Sequence, residues 1–383
     1  MNKIDKRNFL EQWFPSYKIG HHHLSLWERI HIDLPLLIGL LLIIIAGLLV
    51  LFSAASEDVL IVVRQMVRFG LAFGVMFVVA QISPSRLKLW APWLYGIAVA
   101  LLLAVLVIGY TGKGAQRWLN LGLFRFQPSE LMKLALPMMI AWYMSDRQLP
   151  PKASSLALAG VILFVPVAFI LKQPDLGTAI MVAVAGFGVL LFAGIGWRWL
   201  ISGAVIIAAA APVAWHFLHS YQRGRVLTFL NPERDPLGSG YHIIQSKIAI
   251  GSGGFLGKGW LNGTQSHLNF LPEHSTDFIY SVLGEEFGLL GGFILLSLYL
   301  LVTIRCFYIA YHAQDNFSRL LAGSLGFTFF VSVFVNIGMV SGILPVVGLP
   351  LPLFSYGGTS VVTLMASFGI LMSISTHRKL IAT

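Results

Sequence analysis

The chain has 383 residues, of which 57% are hydrophobic and 11% are charged, and its formal net charge is +10. Because a soluble domain carries roughly a quarter charged residues, this composition excludes an ordinary soluble globule. The single cysteine, Cys306, excludes an intrachain disulfide and a cysteine-rich metal site.

The chain begins with a polar, basic tail, residues 1–30, and its first apolar run starts too late to be a cleaved signal peptide. Basic residues beside a membrane span usually mark the cytoplasmic face, so this tail is predicted to be cytoplasmic. The tail contains His21–His23, which we interpret as part of a solvated loop rather than as a metal site. No nucleic-acid-binding motif accompanies the positive charge, so no nucleic-acid partner is expected.

Apolar runs long enough to cross a bilayer, about 20 residues each, recur from Leu34 almost to the C-terminus. The sequence therefore predicts an all-α polytopic integral membrane protein, with residues 31–377 as a single transmembrane domain. About ten transmembrane helices are expected, near residues 34–54, 61–82, 88–109, 128–145, 154–171, 175–194, 197–218, 277–311, 319–343 and 353–376. The eighth is longer than one crossing requires, so its start is expected to project from the bilayer.

Charged residues in the loops set the predicted orientation. With the N-terminus inside, the cytoplasmic loops lie near residues 83–87, 146–153, 195–197 and 312–318, and several carry or adjoin lysine and arginine. An even number of spans returns the C-terminal segment, residues 378–383, to the cytoplasm. That segment contains Arg378 and Lys379, as the positive-inside rule requires.

Two outward segments carry cations against that rule. Tyr110–Gln127 is too short to escape it, and the second is a large extracytoplasmic loop between the seventh and eighth spans, residues 219–276. An anionic ligand on the outer face would explain these cations, and so would side chains that snorkel to the lipid surface. The cations are Lys113, Arg117, Arg125, Arg223, Arg225, Arg234, Lys247 and Lys258.

Three outward helix starts share a design that favours anion binding. They open with Gln127-Pro128-Ser129-Glu130, with Gln173-Pro174-Asp175 and with Ser275-Thr276-Asp277. Proline and short polar or acidic residues suit the start of a helix, so each alone is an ordinary helix start. Together they place positive helix ends on one side of the bundle, near Arg117, Arg223 and Lys247, which favours a phosphate or pyrophosphate.

Further charged residues lie on these helices. Lys133 follows Glu130 by three residues, so the two share a helix face and can pair inside the bundle. Arg64 and Arg68, four residues apart near the outer start of the second span, also share a face. They either hold a phosphate or snorkel.

Asp277 is the strongest catalytic candidate because an acid at the edge of a bilayer is costly. It lies eight residues before Glu285 and so about 12 Å from it along a helix, which is too far for a tight carboxylate pair. Glu286 points elsewhere, and a paired-carboxylate glycosidase is therefore disfavoured. A helix N-terminus would keep Asp277 ionised, so that it could take a proton from a hydroxyl nucleophile.

Glycine is concentrated in two places. The loop 219–276 is rich in glycine but lacks the P-loop order of glycines followed by lysine and serine or threonine, which argues against nucleotide hydrolysis. Within it, Tyr241–Ile250 is typical of a short amphipathic helix. A second glycine-rich turn, Ser355–Ser360, follows three prolines and predicts irregular backbone lining a cavity.

Six segments spread along the chain resemble the SEDS family, whose name stands for shape, elongation, division and sporulation. They are GAQRWLNLGLFRFQPSELMKL at 114–134, KQPDLGTA at 172–179, YQRGRV at 221–226, DPLGSGYHIIQSKIAIGSGGFLGKG at 235–259, LPEHSTDFIYSVLGEEFG at 271–288 and PLPLFSYGGTS at 350–360. The resemblance extends over nearly the whole chain after about residue 27 and is greatest to the members that serve cell elongation.

The resemblance implies a ten-helix bundle and a peptidoglycan glycosyltransferase of the bacterial inner membrane, with its active site on the periplasmic side. The implied substrate is lipid II, an undecaprenyl-pyrophosphate disaccharide-pentapeptide. The family's essential acid corresponds to Asp277, and its cavity residues correspond to Arg117, Trp118, Glu130, Lys133 and Asp175. The implied partners are a single-pass class B penicillin-binding protein with transpeptidase activity and other membrane proteins of the elongation complex.

The hypothesis that follows is an inverting glycosyl transfer. Asp277 acts as general base on the 4-hydroxyl of the acceptor GlcNAc, and that oxygen attacks C1 of the donor MurNAc. Undecaprenyl pyrophosphate leaves, stabilised by cations, with Mg²⁺ or Mn²⁺ as an optional charge clamp. Two alternatives stay open at this stage: a lipid II flippase, and a non-catalytic scaffold of the elongation complex.

Overall fold

The structure, a computed structural model, describes residues 30–112, 115–120, 125–217, 220–231, 239–264 and 275–377. Its helices are α1 (Leu34–Ala54), α2 (Val59–Ala80), α3 (Pro84–Ile108), α4 (Pro128–Ser145), α5 (Ala153–Lys172), α6 (Leu176–Phe192), α7 (Trp197–Phe217), α8 (Ser220–Leu230), α9 (Ser239–Ser252), α10 (Ile279–Tyr311), α11 (Asn316–Val340) and α12 (Thr359–Thr376). Three strands are also present: β1 (Tyr110–Gly112), β2 (Ala115–Asn120) and β3 (Arg125–Phe126). The predictions for His21–His23, Lys113, Arg234, Arg378 and Lys379 lie outside the described residues.

Seven of the helices, α1, α2, α3, α5, α10, α11 and α12, are long and apolar enough to cross a membrane. Helix α6 is also apolar but has 17 residues, and α4 carries Glu130 in its first turn and Lys133 three residues later. The predicted class, a helical membrane protein, is confirmed. The short helix expected at Tyr241–Ile250 is present as α9.

Aspartate side chains start four of the helices. Asp33, Asp58, Asp175 and Asp315 each accept a hydrogen bond from a backbone N–H in the first turn that follows, at 3.1, 2.8, 3.2 and 3.0 Å. Such caps satisfy donors that the helix itself leaves unpaired. Proline lies in the first turn of α1, α3 and α4, where its missing N–H costs nothing.

Helix α4 lies at the centre of the described bundle, where it contacts α3, α5, α6, α11 and α12. Its fully buried residues Met132, Leu136 and Ile140 recur every four positions and so share one face. Large apolar side chains on other helices, such as Val107 and Phe164, are exposed in the isolated chain. Lipid is as apolar as these side chains, so their exposure fits a surface that faces a bilayer.

The strands form an antiparallel sheet in the order β1-β2-β3, with Thr111 opposite Gln116 and Leu119 opposite Phe126. Strand β2 contacts both α3 and α4, the helices that precede and follow the sheet in the chain. The all-α prediction missed this sheet. Its strands have 3, 6 and 2 residues, which is too short for an alternating pattern to be recognised in sequence.

Helix α10 is interrupted at Gly288, which has a φ of 62°. The glycine-rich segment 253–259 fills the interruption: Gly259 N–H donates to the carbonyl of Glu286 at 2.9 Å, and Leu289 N–H donates to the carbonyl of Gly254 at 3.0 Å. A Cβ atom at Gly253, Gly257 or Gly288 would collide with backbone of the opposing segment. The glycines of this loop therefore permit one backbone to approach another, rather than forming a phosphate-binding loop.

The connection between α11 and α12, residues 341–358, is irregular, as predicted. Side chains satisfy its carbonyl groups: Arg225 donates to Val346, Asn336 to Leu349, Tyr299 to Pro352, Gln65 to Ser355 and Arg68 to Gly357. The donors come from four helices, α2, α8, α10 and α11. Buried carbonyl groups outside regular secondary structure need such partners, because an unpaired buried carbonyl is costly.

A buried ion pair joins α1, α10 and α12 at the opposite end of α10 from Asp277. The Arg305 guanidinium donates to both carboxylate oxygens of Asp33, at 3.0 and 2.8 Å, and Ser375 donates to the same carboxylate at 2.7 Å. Asp33 is 5% exposed and Arg305 is 7% exposed. Removing one partner of such a pair leaves a buried charge without its counter-ion, which is strongly destabilising.

We predict that Asp33→Ala destabilises the protein by about 3–5 kcal/mol. The matched control is Asp146→Ala, because Asp146 pairs with Lys88 at 2.6 Å but its side chain is 70% exposed. An exposed pair contributes less than about 1 kcal/mol. Thermal unfolding of both variants in the same detergent measures the difference. Equal shifts in the two melting temperatures would contradict the structural role of the Asp33–Arg305 pair.

Candidate functional site

Asp277 lies in a turn immediately before α10. The helix begins at Ile279 and its N-cap residue is Phe278, so Asp277 is one residue outside the helix rather than in its first turn, where the sequence placed it. The carboxylate is partly exposed. The turn is held from both sides, since Ser275 accepts a hydrogen bond from Tyr356 N–H at 2.9 Å and the Asp277 carbonyl accepts one from Asn336 at 3.0 Å.

The Asp277 carboxylate and the Arg225 guanidinium meet at Gly348. A Cβ atom placed on Gly348 would lie 3.5 Å from Asp277 Oδ2 and 3.7 Å from each terminal nitrogen of Arg225. Gly348 has a φ of 73°, which favours glycine, so this backbone can turn beside the carboxylate and the guanidinium without strain. Arg225 is also fixed by a hydrogen bond from Nη1 to the Val346 carbonyl at 3.0 Å.

Arg117 and Asp175 form a second cluster. Arg117 Nε lies 3.5 Å from Asp175 Oδ2, and Arg117 Nη2 donates to the Pro174 carbonyl at 3.3 Å. Asp175 is 6% exposed; it caps α6 and accepts a hydrogen bond from Gln127 at 3.2 Å. The cation therefore lies beside the positive end of a helix, an arrangement that suits an anion.

The Val346–Leu349 segment connects the two clusters. Within it, Gly348 faces Asp277 and Arg225. For the adjacent residue, a Cβ atom on Gly177, two residues into α6 from the Asp175 cap, would lie 2.7 Å from the Val347 carbonyl. The acid and the Arg117–Asp175 pair therefore lie on two sides of one short stretch of backbone.

The predicted pair of Glu130 and Lys133 is present, with a distance of 2.7 Å between Lys133 Nζ and Glu130 Oε1. Glu130 is 5% exposed, so its charge is compensated inside the bundle. Trp118 is half-buried in β2, next in sequence to Arg117. Gln127, at the cap of α4, bonds Asp175, so the start of α4 adjoins the Arg117–Asp175 cluster.

The remaining predicted cations have other surroundings. Arg68 stacks on the Tyr356 ring, 4.3 Å from its centre, and borders the glycine-rich turn, while Arg64 is exposed. Arg223 donates to the carbonyls of Trp215 and His216, at 2.9 and 2.6 Å, and so caps the end of α7. Lys247 is exposed on α9, and its alkyl chain lies against Gly342. Arg223 therefore has a structural role, as a helix cap, that the sequence did not indicate.

The two carboxylates of α10 that follow Asp277 in sequence, Glu285 and Glu286, have hydrogen-bond partners of their own. Glu285 is fully buried and accepts hydrogen bonds from Lys258 at 2.6 Å and from the backbone and hydroxyl of Thr264, both at 2.9 Å. Glu286 accepts a hydrogen bond from Ser53 of α1. That Asp277 acts without a carboxylate partner stays a prediction.

Arg225 was named from the sequence only as one of the outward cations, and Asn336 and His242 were not singled out. The His242 ring stacks on Phe278, with 5.7 Å between ring centres. Among the described residues, no group of three or more histidine, cysteine, aspartate or glutamate side chains could hold a metal ion. The arrangement is one acid beside a guanidinium, with a second cation at a helix end, which suits proton abstraction next to a bound anion.

Comparisons with known proteins agree with one another. A family model described as a cell cycle protein, covering FtsW, RodA and SpoVE, matches residues 28–380. The peptidoglycan glycosyltransferase MrdB of Escherichia coli strain K12 is 52% identical over 359 residues, which are 94% of this chain and 97% of the relative.

Two solved structures are similar along almost the whole chain. One belongs to a study of the structural coordination of polymerization and crosslinking by a peptidoglycan synthase complex; it is 36% identical with a TM-score of 0.79, covering 91% of this chain and 99% of that chain. The other is the rod shape determining protein RodA of Thermus thermophilus, which is 31% identical with a TM-score of 0.69, covering 91% and 98%.

Proposed function

The chain belongs to the FtsW, RodA and SpoVE family of cell cycle proteins and is a peptidoglycan glycosyltransferase, and we propose that Asp277 is its catalytic base. The family membership confirms the resemblance carried by the six sequence segments. The observation that supports the base is the shared space at Gly348, where a partly exposed carboxylate faces a guanidinium. The substrate is proposed to be lipid II.

In the proposed reaction, Asp277 takes the proton from the 4-hydroxyl of the acceptor GlcNAc, and the oxygen attacks C1 of the donor MurNAc. The bond from C1 to the pyrophosphate oxygen breaks with inversion, and undecaprenyl pyrophosphate leaves. A base needs to lie within about 2.6–3.2 Å of the proton-bearing oxygen, so the proposal requires the acceptor hydroxyl to bind next to the Asp277 carboxylate. No second carboxylate is required.

The departing pyrophosphate gains negative charge, and the Arg117–Asp175 cluster offers a cation and a helix end to bind it. Trp118, Glu130 and Lys133 adjoin this cluster and are proposed to complete the substrate cavity, with Arg64, Arg68, Arg223 and Lys247 as further candidate contacts. The described residues contain no protein cage for a metal. Any Mg²⁺ or Mn²⁺ would therefore be held mainly by the phosphate oxygens of the substrate.

The proposed topology has ten membrane helices, both termini in the cytoplasm and residues 219–276 on the periplasmic side of the inner membrane. Seven helices meet the length and apolarity of a span. The other three proposed spans are α4, α6 and α7, whose bounds nearly coincide with predicted spans. The charges of α4 can be compensated by packing against neighbouring helices. This orientation places Asp277 on the periplasmic side.

A class B penicillin-binding protein is the proposed partner, together with other membrane proteins of the elongation complex. The support is the likeness to a chain from a complex described as coordinating polymerization with crosslinking. In such a complex the transpeptidase would crosslink the glycan that this chain polymerises.

We predict that Asp277→Asn abolishes glycan polymerisation, because the amide keeps the shape of the carboxylate but cannot accept the proton. Product length on gels, from purified lipid II and the purified full-length chain, measures the effect. Polymer of wild-type amount from the variant would remove Asp277 from the mechanism. The same variant, assayed for lipid II translocation in proteoliposomes, separates the flippase alternative, since a flippase need not lose transport when that acid is replaced.

We predict that Arg117→Ala raises the KM for lipid II by at least tenfold, with a smaller effect of Arg117→Lys. The loss of a charge-assisted hydrogen bond to a phosphate costs about 1.5–3 kcal/mol. The control is Arg198→Ala, which removes an exposed cation at the start of α7. If Arg117→Ala, Arg223→Ala and Lys247→Ala all have the activity of the control, these cations do not bind the substrate.

We predict that the segment after α9 is periplasmic and that Lys152 is cytoplasmic. Cysteines in a Cys306→Ala background, probed with a membrane-impermeant thiol reagent on spheroplasts, report the side. Asn262 is a better outer reporter than Lys258, because Lys258 is paired with the buried Glu285. Labelling is expected at 262 and not at 152 or at the C-terminal Thr383. The reverse pattern would place Asp277 in the cytoplasm and contradict the proposed function.

A further inference from the structure

Asn336 is a buried amide near the C-terminal end of α11, four residues before the helix ends at Val340. Its side chain is 0% exposed, and Nδ2 donates to the carbonyl of Asp277 at 3.0 Å and to the carbonyl of Leu349 at 2.6 Å. Both amide hydrogens are therefore used, whereas Oδ1 is buried and accepts no hydrogen bond. An apolar residue here would leave the carbonyls of Asp277 and Leu349 without these donors, so the position indicates a role beyond filling space.

The two carbonyls belong to segments that are far apart in sequence. Asp277 precedes α10, and Leu349 ends the Val346–Leu349 segment, whose Gly348 faces the Asp277 carboxylate and Arg225. The Asn336 amide therefore connects the backbone of Asp277 to the backbone of the Val346–Leu349 segment. The neighbouring Phe278 is 3% exposed and packs in an apolar cluster with Met339 and Val340, which lie one turn after Asn336 on α11.

We propose that Asn336 is a positioning residue for the glycosyl transfer. It fixes the Asp277 backbone against the Val346–Leu349 segment, so that the carboxylate stays directed to the space at Gly348 beside Arg225. The inference rests on the proposed role of Asp277 as base. Asn336 acts through the backbone of Asp277 and not on the reacting atoms. A displacement of about 1 Å at a reacting group can cost on the order of 100-fold in rate, so a loss of this fixation would be visible in kcat.

The test uses the purified full-length chain with lipid II and three variants of Asn336. Asn336→Leu keeps the volume without a donor, Asn336→Asp keeps the shape with at most one donor for the two carbonyls, and Asn336→Gln keeps the amide. The matched control is Ser324→Ala on the same helix, which removes another fully buried group, one whose hydroxyl donates to the Ala185 carbonyl at 2.5 Å. Steady-state kinetics give kcat and KM separately, and hydrogen–deuterium exchange reports residues 275–280 and 345–350 without requiring activity.

For the Leu and Asp variants we expect kcat to fall at least tenfold with KM within about threefold of wild type, because the phosphate contacts are retained. Both reporter segments should exchange faster. The Gln variant should retain more activity than the Leu variant, and the control should keep its kcat per folded molecule with unchanged exchange in both segments.

Wild-type kcat in Asn336→Leu would overturn the proposal, and so would an equal loss in Ser324→Ala or a rise in KM without a fall in kcat. Failure of the proposed function has a different signature. Full activity of Asp277→Asn would show that Asp277 is not the base. Faster exchange in the Asn336 variants would then show only that Asn336 stabilises the local structure, and the positioning role would be overturned as well.

Discussion

A buried carbonyl group outside a helix or strand needs a hydrogen-bond donor from the protein itself. The connection between α11 and α12 meets this requirement with side chains of α2, α8, α10 and α11. Two of these donors, Arg225 and Asn336, also adjoin Asp277, the first at Gly348 and the second through the Asp277 carbonyl. The same interactions that stabilise irregular backbone therefore assemble the surroundings of the acid.

The interruption of α10 at Gly288 follows the same constraint. The broken helix leaves backbone groups without partners, and the glycine-rich segment 253–259 supplies them by direct backbone contact. Lys258 and Thr264 then hold this segment to the buried Glu285. A loop that follows α9 is in this way attached to the beginning of α10, close to the turn that carries Asp277.

Hydropathy and helix-start residues were sufficient to predict most of the helices. The bounds of α1 and α4 agree with the predicted spans, and Pro128 and Asp175 mark helix starts as expected. The sheet β1-β2-β3 and the interruption at Gly288 were not predicted. The strands are too short to produce a pattern, and the interruption depends on a contact with a segment about 30 residues earlier, which no local periodicity contains.

The site was predictable only in part. Asp277 was recognised because a charged group beside a bilayer is costly, and the pairing of Glu130 with Lys133 follows from their spacing on one helix. The places of Arg225 and Asn336 beside Asp277 were missed for physical reasons. Arg225 bonds a carbonyl 121 positions away, and Asn336 donates to carbonyls of two segments outside its own helix, so only the folded chain shows what each contacts.

The central claim, that Asp277 is the base, is tested most directly by a cryo-EM structure of the Asp277→Asn variant with lipid II bound. The account predicts the acceptor 4-hydroxyl within about 3.2 Å of residue 277 and the donor pyrophosphate beside Arg117. An acceptor hydroxyl held by another residue, with residue 277 out of reach of both sugars, would contradict it.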